Sequence, residues 1–162
     1  MKKYFLFIML VTSFSYSQIG LEAGYNSLKA EVSSSGTTIS ASDDQFYFGV
    51  KYDFDLNNKL FLQLSVLFSE DMYQFPVSLG YRASNAFSLL AGPVLTSLDF
   101  DGADGLKESV IGFNLGIQYS ITRKIALSFK YAKDLGDRLE EDYTDIGSLK
   151  SGTTRIGASY SF

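Results

Sequence analysis

Six charged residues stand out because the pattern around each would turn them to one side of an extended chain: Glu22, Lys51, Asp53, Arg82, Lys130 and Arg155. Opposite charges on one inward face can do two things. They can lock together as a hydrogen-bonded ion-pair network, or they can line a path for ions. A carboxylate buried without a partner is costly, so the network reading is preferred, with Glu22 as the natural acceptor for Lys51 or Arg155. Two acidic runs invite other chemistry. Asp99, Asp101 and Asp104 could offer oxygen ligands to Ca²⁺, but they lack the spacing of a full twelve-residue calcium loop. Asp137, Glu140, Glu141, Asp142 and Asp145 read as a solvated acidic loop. No metal site and no cofactor is assigned to either.

The chain contains no His and no Cys. That removes Ser-His-Asp and Cys-His nucleophilic arrangements and the commonest general base. No spacing of carboxylates fixes a hydrolytic pair. The expectation is therefore a protein that is not an enzyme, with no catalytic residues and no disulfide framework.

The elements that would position the six charges repeat with period two, the signature of strands with one apolar and one polar face. In residues 110–121, Ile111, Phe113, Leu115, Ile117, Tyr119 and Ile121 alternate with Gly112, Asn114, Gly116, Gln118 and Ser120. The same alternation runs through residues 19–26, 45–54, 59–68, 74–82, 86–96, 124–131 and 153–162. Eight candidate strands result, each long enough to cross a bilayer when tilted. Short connections at 55–58, 83–85 and 122–123 alternate with longer ones at 29–44, 69–73, 98–108 and 135–150. The stretch 33–38, rich in Ser and Thr, reads as a flexible surface loop. With Ser84 as hairpin centre, Pro93 falls opposite Phe75 and diagonal to Pro76, so two residues without an N–H weaken the wall close together.

The fold class expected is all-β: an eight-stranded antiparallel up-and-down transmembrane barrel. Lipid leaves no water for unpaired backbone groups, and closure removes the sheet's edges. Phe54, Tyr81, Tyr119 and Tyr160 gather near the short-turn ends, where headgroups would meet them. A soluble, lipocalin-like exported barrel would alternate too, with its apolar face inward around a ligand. The Gly and Ser of the polar face and the bulk of the apolar face favour lipid outside.

Residues 1–17 have the layout of a cleaved export signal: Lys2 and Lys3, an apolar run, then Ser15-Tyr16-Ser17 before a cut at Gln18. Removing them from 162 residues leaves 145, residues 18–162, one domain. Without Lys2 and Lys3, twelve cations face eighteen acids, which argues against a nucleic-acid partner.

The final segment, Ile156-Gly157-Ala158-Ser159-Tyr160-Ser161-Phe162, resembles the closing strand that the outer-membrane assembly machinery engages. With Phe87-Ser88-Leu89-Leu90-Ala91-Gly92-Pro93 and the hairpin Tyr52-Asp53-Phe54-Asp55-Leu56-Asn57-Asn58-Lys59-Leu60, the chain resembles the small outer-membrane β-barrel ("porin family") proteins akin to outer-membrane protein X. The resemblance implies a Gram-negative outer-membrane location, lipid and the barrel-assembly machinery as partners, Tyr160 and Phe162 as an assembly signal, and no shared reaction. Three roles then compete: a structural or surface-interaction barrel working through its long loops and an unidentified partner, a narrow channel or lateral path for small solutes, and a barrel enzyme of the acylase or protease kind. The last is disfavoured by the missing His and Cys.

Overall fold

The computed structural model describes residues 17–34, 37–98, 106–139 and 147–162. Eight strands appear: β1 (Ser17–Ser34), β2 (Thr37–Asp55), β3 (Leu60–Phe68), β4 (Met72–Arg82), β5 (Phe87–Leu98), β6 (Ser109–Ser120), β7 (Ile125–Asp134) and β8 (Ser148–Ser161). Each pairs antiparallel with its neighbour, and β1 pairs with β8, so the sheet closes into a barrel.

The burial is inverted relative to a water-soluble protein. Along β4, Met72, Gln74, Pro76, Ser78 and Gly80 are buried while Tyr73, Phe75, Val77, Leu79 and Tyr81 are exposed. The same holds around the wall: Leu21, Phe48, Leu115, Ile117, Leu127 and Ile156 face outward, and Glu22, Lys51, Gln63, Asn114 and Arg155 face inward. An apolar belt this continuous demands an apolar solvent. It excludes the lipocalin-like arrangement, whose apolar face would turn inward. The belt is edged by aromatics. Tyr81, Tyr119 and Tyr160 lie toward the short turns. Tyr25, Phe46, Phe48, Phe68 and Tyr73 lie toward the other end, and their rings contact one another at 5.6–5.9 Å.

Two sequence expectations are corrected. Residues 29–44 do not form a loop, since β1 and β2 continue as one hairpin to the Ser34–Thr37 pair. Ser33, Ser34, Thr37 and Thr38 are strand residues, and residues 35–36 lie outside the described ones. The alternation persists there in Leu28, Ala30 and Val32 and in Ile39 and Ala41, diluted by Ser and Thr. The Thr and Val content suits an extended chain. β8 likewise begins at Ser148, five positions ahead of the expected start.

The second correction is the register at the prolines. Pro76 pairs with Val94 and Leu79 with Ala91, which sets Pro93 level with Val77 rather than Phe75. The four-residue turn 83–86 causes the shift: the Ala83 and Ser84 N–H groups both donate to the Phe87 carbonyl. The β4–β5 ladder lapses between those pairs, and the β3–β4 ladder lapses between Leu64–Val77 and Leu67–Gln74. Asn114 on β6 bridges the first lapse. Its Nδ2 donates to the carbonyls of Gly92 (2.8 Å) and Pro93 (3.2 Å), and its Oδ1 accepts from Ser78 Oγ (3.1 Å). Asn114→Ala removes all three bonds, two of them to part-buried carbonyls, so a loss of about 1–3 kcal/mol is expected. Urea unfolding in detergent micelles measures it, and an unchanged midpoint would show that solvent already serves the lapse.

Candidate functional site

The lumen is filled by one connected chain of polar side chains. Glu22, on β1, is 2% exposed. Lys130 Nζ donates to both its oxygens, at 2.9 and 2.8 Å, Tyr47 donates its hydroxyl at 3.0 Å, and Ser128 Oγ donates at 3.3 Å. Lys130 also donates to Gln63 Oε1 at 3.2 Å. Gln63 Nε2 in turn donates to Asp53 Oδ1 at 2.8 Å, and Lys51 Nζ donates to Asp53 Oδ2 at 3.1 Å. Four strands, β1, β2, β3 and β7, are thereby tied together through the barrel axis. Gly157 makes room for this: a Cβ there would strike the Tyr47 hydroxyl.

Glu22 therefore pairs with neither Lys51 nor Arg155, the partners expected from strand adjacency. The register explains why. Arg155 sits opposite Asn26, four positions from Glu22 along β1, and Lys51 sits opposite Gly20. Tilted strands put residues at one height that are not ladder partners, and the long Lys130 side chain reaches across β8 to Glu22. Tyr47, Gln63 and Ser128 belong to the network although they carry no charge. Their inward parity was visible in the sequence, but their contacts were not.

Arg82 lies at the short-turn mouth. It ion-pairs with Asp55 and stacks over the Phe61 ring, 4.7 Å from its centre. With Gln18, Lys51, Asp53, Ser88, Gln118 and Arg123 it lines a vestibule of about 430 Å³. The ionic chain forms the floor of that vestibule.

The opposite end is closed by residues that sequence reasoning left in a solvated loop. Arg138 is 1% exposed. Its Nε donates to Asp134 Oδ2 at 2.6 Å and to Ser151 Oγ at 3.1 Å, and its Nη1 donates to the Glu108 carbonyl at 3.2 Å. Asp134 continues the inward parity of Ser128 and Lys130, which was the one available signal. The neighbouring Asp137 carboxylate latches the loop to β8. It accepts from the backbone N–H of Leu139 (3.0 Å) and of Leu149 (2.9 Å). Partial burial pushes the Asp137 carboxyl up, but these two N–H donors, with the Ser148 side chain and the Lys150 cation, together hold the group below the usual carboxylate range.

A depressed folded-state pKa means that the latch contributes fully above the ordinary aspartate range and is lost as pH falls through the lowered value. The protection of the Leu149 amide, its exchange rate relative to a free chain at the same pH, should therefore fall on strong acidification. The same loss of protection should appear at neutral pH in Asp137→Ala. Equal protection in that variant would show that the Asp137 bond is not what holds the loop.

Asp99, Asp101 and Asp104, weighed as calcium ligands and not assigned as such, lie outside the described residues, as do Glu140, Glu141, Asp142 and Asp145. Among the described residues, no three His, Cys, Asp or Glu side chains gather as a metal site. Tyr160 and Phe162 stand on the outer face, their rings edge to face at 5.4 Å. Lys124 Nζ lies 5.6 Å above the Tyr160 ring.

No protein-family model matches the chain, and no curated protein does. Solved structures do. Ail, the attachment invasion locus protein of Yersinia pestis, aligns over 90% of this chain and 97% of its own with a TM-score of 0.53 at 20% identity. The N-terminal β-barrel domain of Pseudomonas aeruginosa OprF aligns over 91% and 98%, with a TM-score of 0.51 at 15% identity. Neisserial surface protein A aligns over 89% and 97%, with a TM-score of 0.50 at 17% identity. At these identities the likeness is one of fold. Taken with the apolar belt and the polar lumen, it makes the chain a membrane β-barrel with the small, eight-stranded fold of these outer-membrane proteins.

Proposed function

We propose that this barrel is a surface-interaction protein, anchored by its wall and meeting a partner through the outward extension of β1, β2 and β8. One observation carries the reading. β2 pairs with β1 all the way from Thr37, but with β3 only from Phe48 to Asp55. Between Thr37 and Tyr47 the described residues leave one side of β2 without a strand neighbour. Barrel closure abolishes edges inside the membrane, and this extension restores one outside it. A free edge accepts an extended segment of another polypeptide by β-augmentation.

The two faces of the extension differ. Val32 pairs with Ile39 and with Leu149, giving an apolar row on the side that continues the lumen face. Lys29, Glu31, Ser40 and Ser42 lie on the other side. An added strand would therefore carry apolar residues alternately, in line with Ile39 and Ala41. The charge of the outer end also selects. Asp43, Asp44, Glu70, Asp71, Glu108 and Asp137 outnumber Lys29, Lys107, Lys133 and Lys150 among the described residues there. One solved structure of Ail is a complex with the heparin analogue sucrose octasulfate. The acid excess here disfavours a polyanion and favours a neutral or basic polypeptide.

Residues 1–17 as a cleaved export signal belong to the same proposal. A photo-reactive residue at Ser42 should cross-link one discrete protein on intact cells. Proline at Ser40 or at Ala41, each made separately with the photo-reactive residue kept at Ser42, supplies the control, because one of two adjacent N–H groups must point to the open side. The variant that keeps its barrel should lose the cross-link. Cross-linking that is equal from Ser42 and from Leu115 on the lipid-facing wall would defeat the edge reading. Stable open-channel currents in planar bilayers would promote the channel alternative instead.

A further inference from the structure

Seven charged side chains are buried inside the wall among the described residues: Glu22, Asp53 and Asp134 against Lys51, Lys130, Arg138 and Arg155. Three pairs form. Lys130 meets Glu22 at 2.8 Å, Lys51 meets Asp53 at 3.1 Å, and Arg138 meets Asp134 at 2.6 Å. Arg155 is left over. It is 1% exposed, and none of its Nε, Nη1 and Nη2 atoms has a hydrogen-bond partner. Its ladder neighbours are Lys130 on β7 and Asn26 on β1. The first is a cation bonded to Glu22, the second is neutral, and Glu22 acts on Arg155 only through space, shared with Lys130 and without a bond to the guanidinium.

A guanidinium cannot escape burial by losing its proton, as a lysine or a carboxylate can. An uncompensated ion in the interior is among the most costly features a fold can carry. We infer that the lumen binds one small inorganic anion, of the halide class, against Arg155. The donors are two neighbouring N–H groups along one edge of its planar guanidinium, all three of whose nitrogens lack partners. The ion must be small, because an eight-stranded lumen is only wide enough to be filled by side chains. Asn26, the ladder partner of Arg155 on β1, carries a buried Oδ1 that also lacks a partner. A water between Arg155 and Asn26 Oδ1 would satisfy the hydrogen bonds of both and leave the charge unbalanced. That water is the competing outcome.

Two measurements on the refolded barrel in detergent decide it. Crystals soaked in bromide should show an anomalous peak within hydrogen-bond distance of the Arg155 guanidinium. The unfolding midpoint should rise saturably when chloride replaces gluconate at constant ionic strength, as it does for any ligand held only by the folded state. The rise should vanish in Arg155→Met and persist in Lys124→Met, which removes an exposed cation at the rim. If Arg155→Met does not fold, the bromide peak on the unaltered chain is decisive alone. An ordered water at the guanidinium with no bromide signal overturns the proposal. So does a chloride effect that survives in Arg155→Met, which would place the anion on the surface.

Discussion

Replacing Glu22 with alanine is expected to cost the folded barrel about 3–5 kcal/mol, the range for breaking a buried pair by removing one partner. The loss is large because four hydrogen bonds from three donor groups converge on one carboxylate. Lys130, Tyr47 and Ser128 would all lose this acceptor, and Lys130 would be left inside the wall without its counter-ion, to stay charged or to give up its proton, either at a cost. Lys130→Met should cost a comparable amount by stranding the carboxylate. The double variant Glu22→Leu with Lys130→Met should recover part of the loss, since an apolar pair of similar volume is often no less stable than an ion pair. Urea midpoints for the unaltered chain, Glu22→Leu, Lys130→Met and the double variant, refolded into one detergent, form a cycle that isolates the coupling. A cost below about 1 kcal/mol for Glu22→Ala would put the pair in the class of solvent-exposed ion pairs. It would mean that water reaches Lys130 and that the lumen is a wet path.

That cycle also shows what the sequence could and could not convey. Period-two alternation identified the eight strands and the inward face of Glu22, Lys51, Asp53, Lys130 and Arg155, because side-chain direction in a strand is a purely local property. Height along the axis is not local. It depends on tilt and stagger summed around the closed sheet, so the partner of Glu22 was sought on adjacent strands when it stands on β7. The same gap explains Arg138. Nothing local distinguishes it from the acids around it, and only the closed barrel brings it over Asp134. The hairpin over residues 29–44 was missed for another reason. Its Ser and Thr dilute the hydrophobic contrast that marks a half-buried strand, and beyond the membrane there is no apolar solvent to require it.

Phe162 is expected to matter for reaching the membrane far more than for surviving there. Its ring is 68% exposed and touches Tyr160 edge to face, while its N–H donates to the Ile19 carbonyl at 3.0 Å, a bond that any residue could make. Full burial of such a ring contributes about 1.5–3 kcal/mol, and this one is mostly uncovered. Phe162→Ala refolded from urea into detergent should therefore still give a compact, heat-modifiable barrel with nearly the original midpoint. In cells the expectation reverses. β8 is the strand that closes the sheet on β1, and the segment from Ile156 to Phe162 resembles the one that the assembly machinery engages. Phe162→Ala should lower the amount of folded barrel in the outer-membrane fraction severalfold, with the remainder degraded or held in the periplasm. Both assays belong on one variant. Equal loss in both would make Phe162 a structural residue of the rim. Full insertion in cells would mean that Tyr160 and the alternation before it are signal enough.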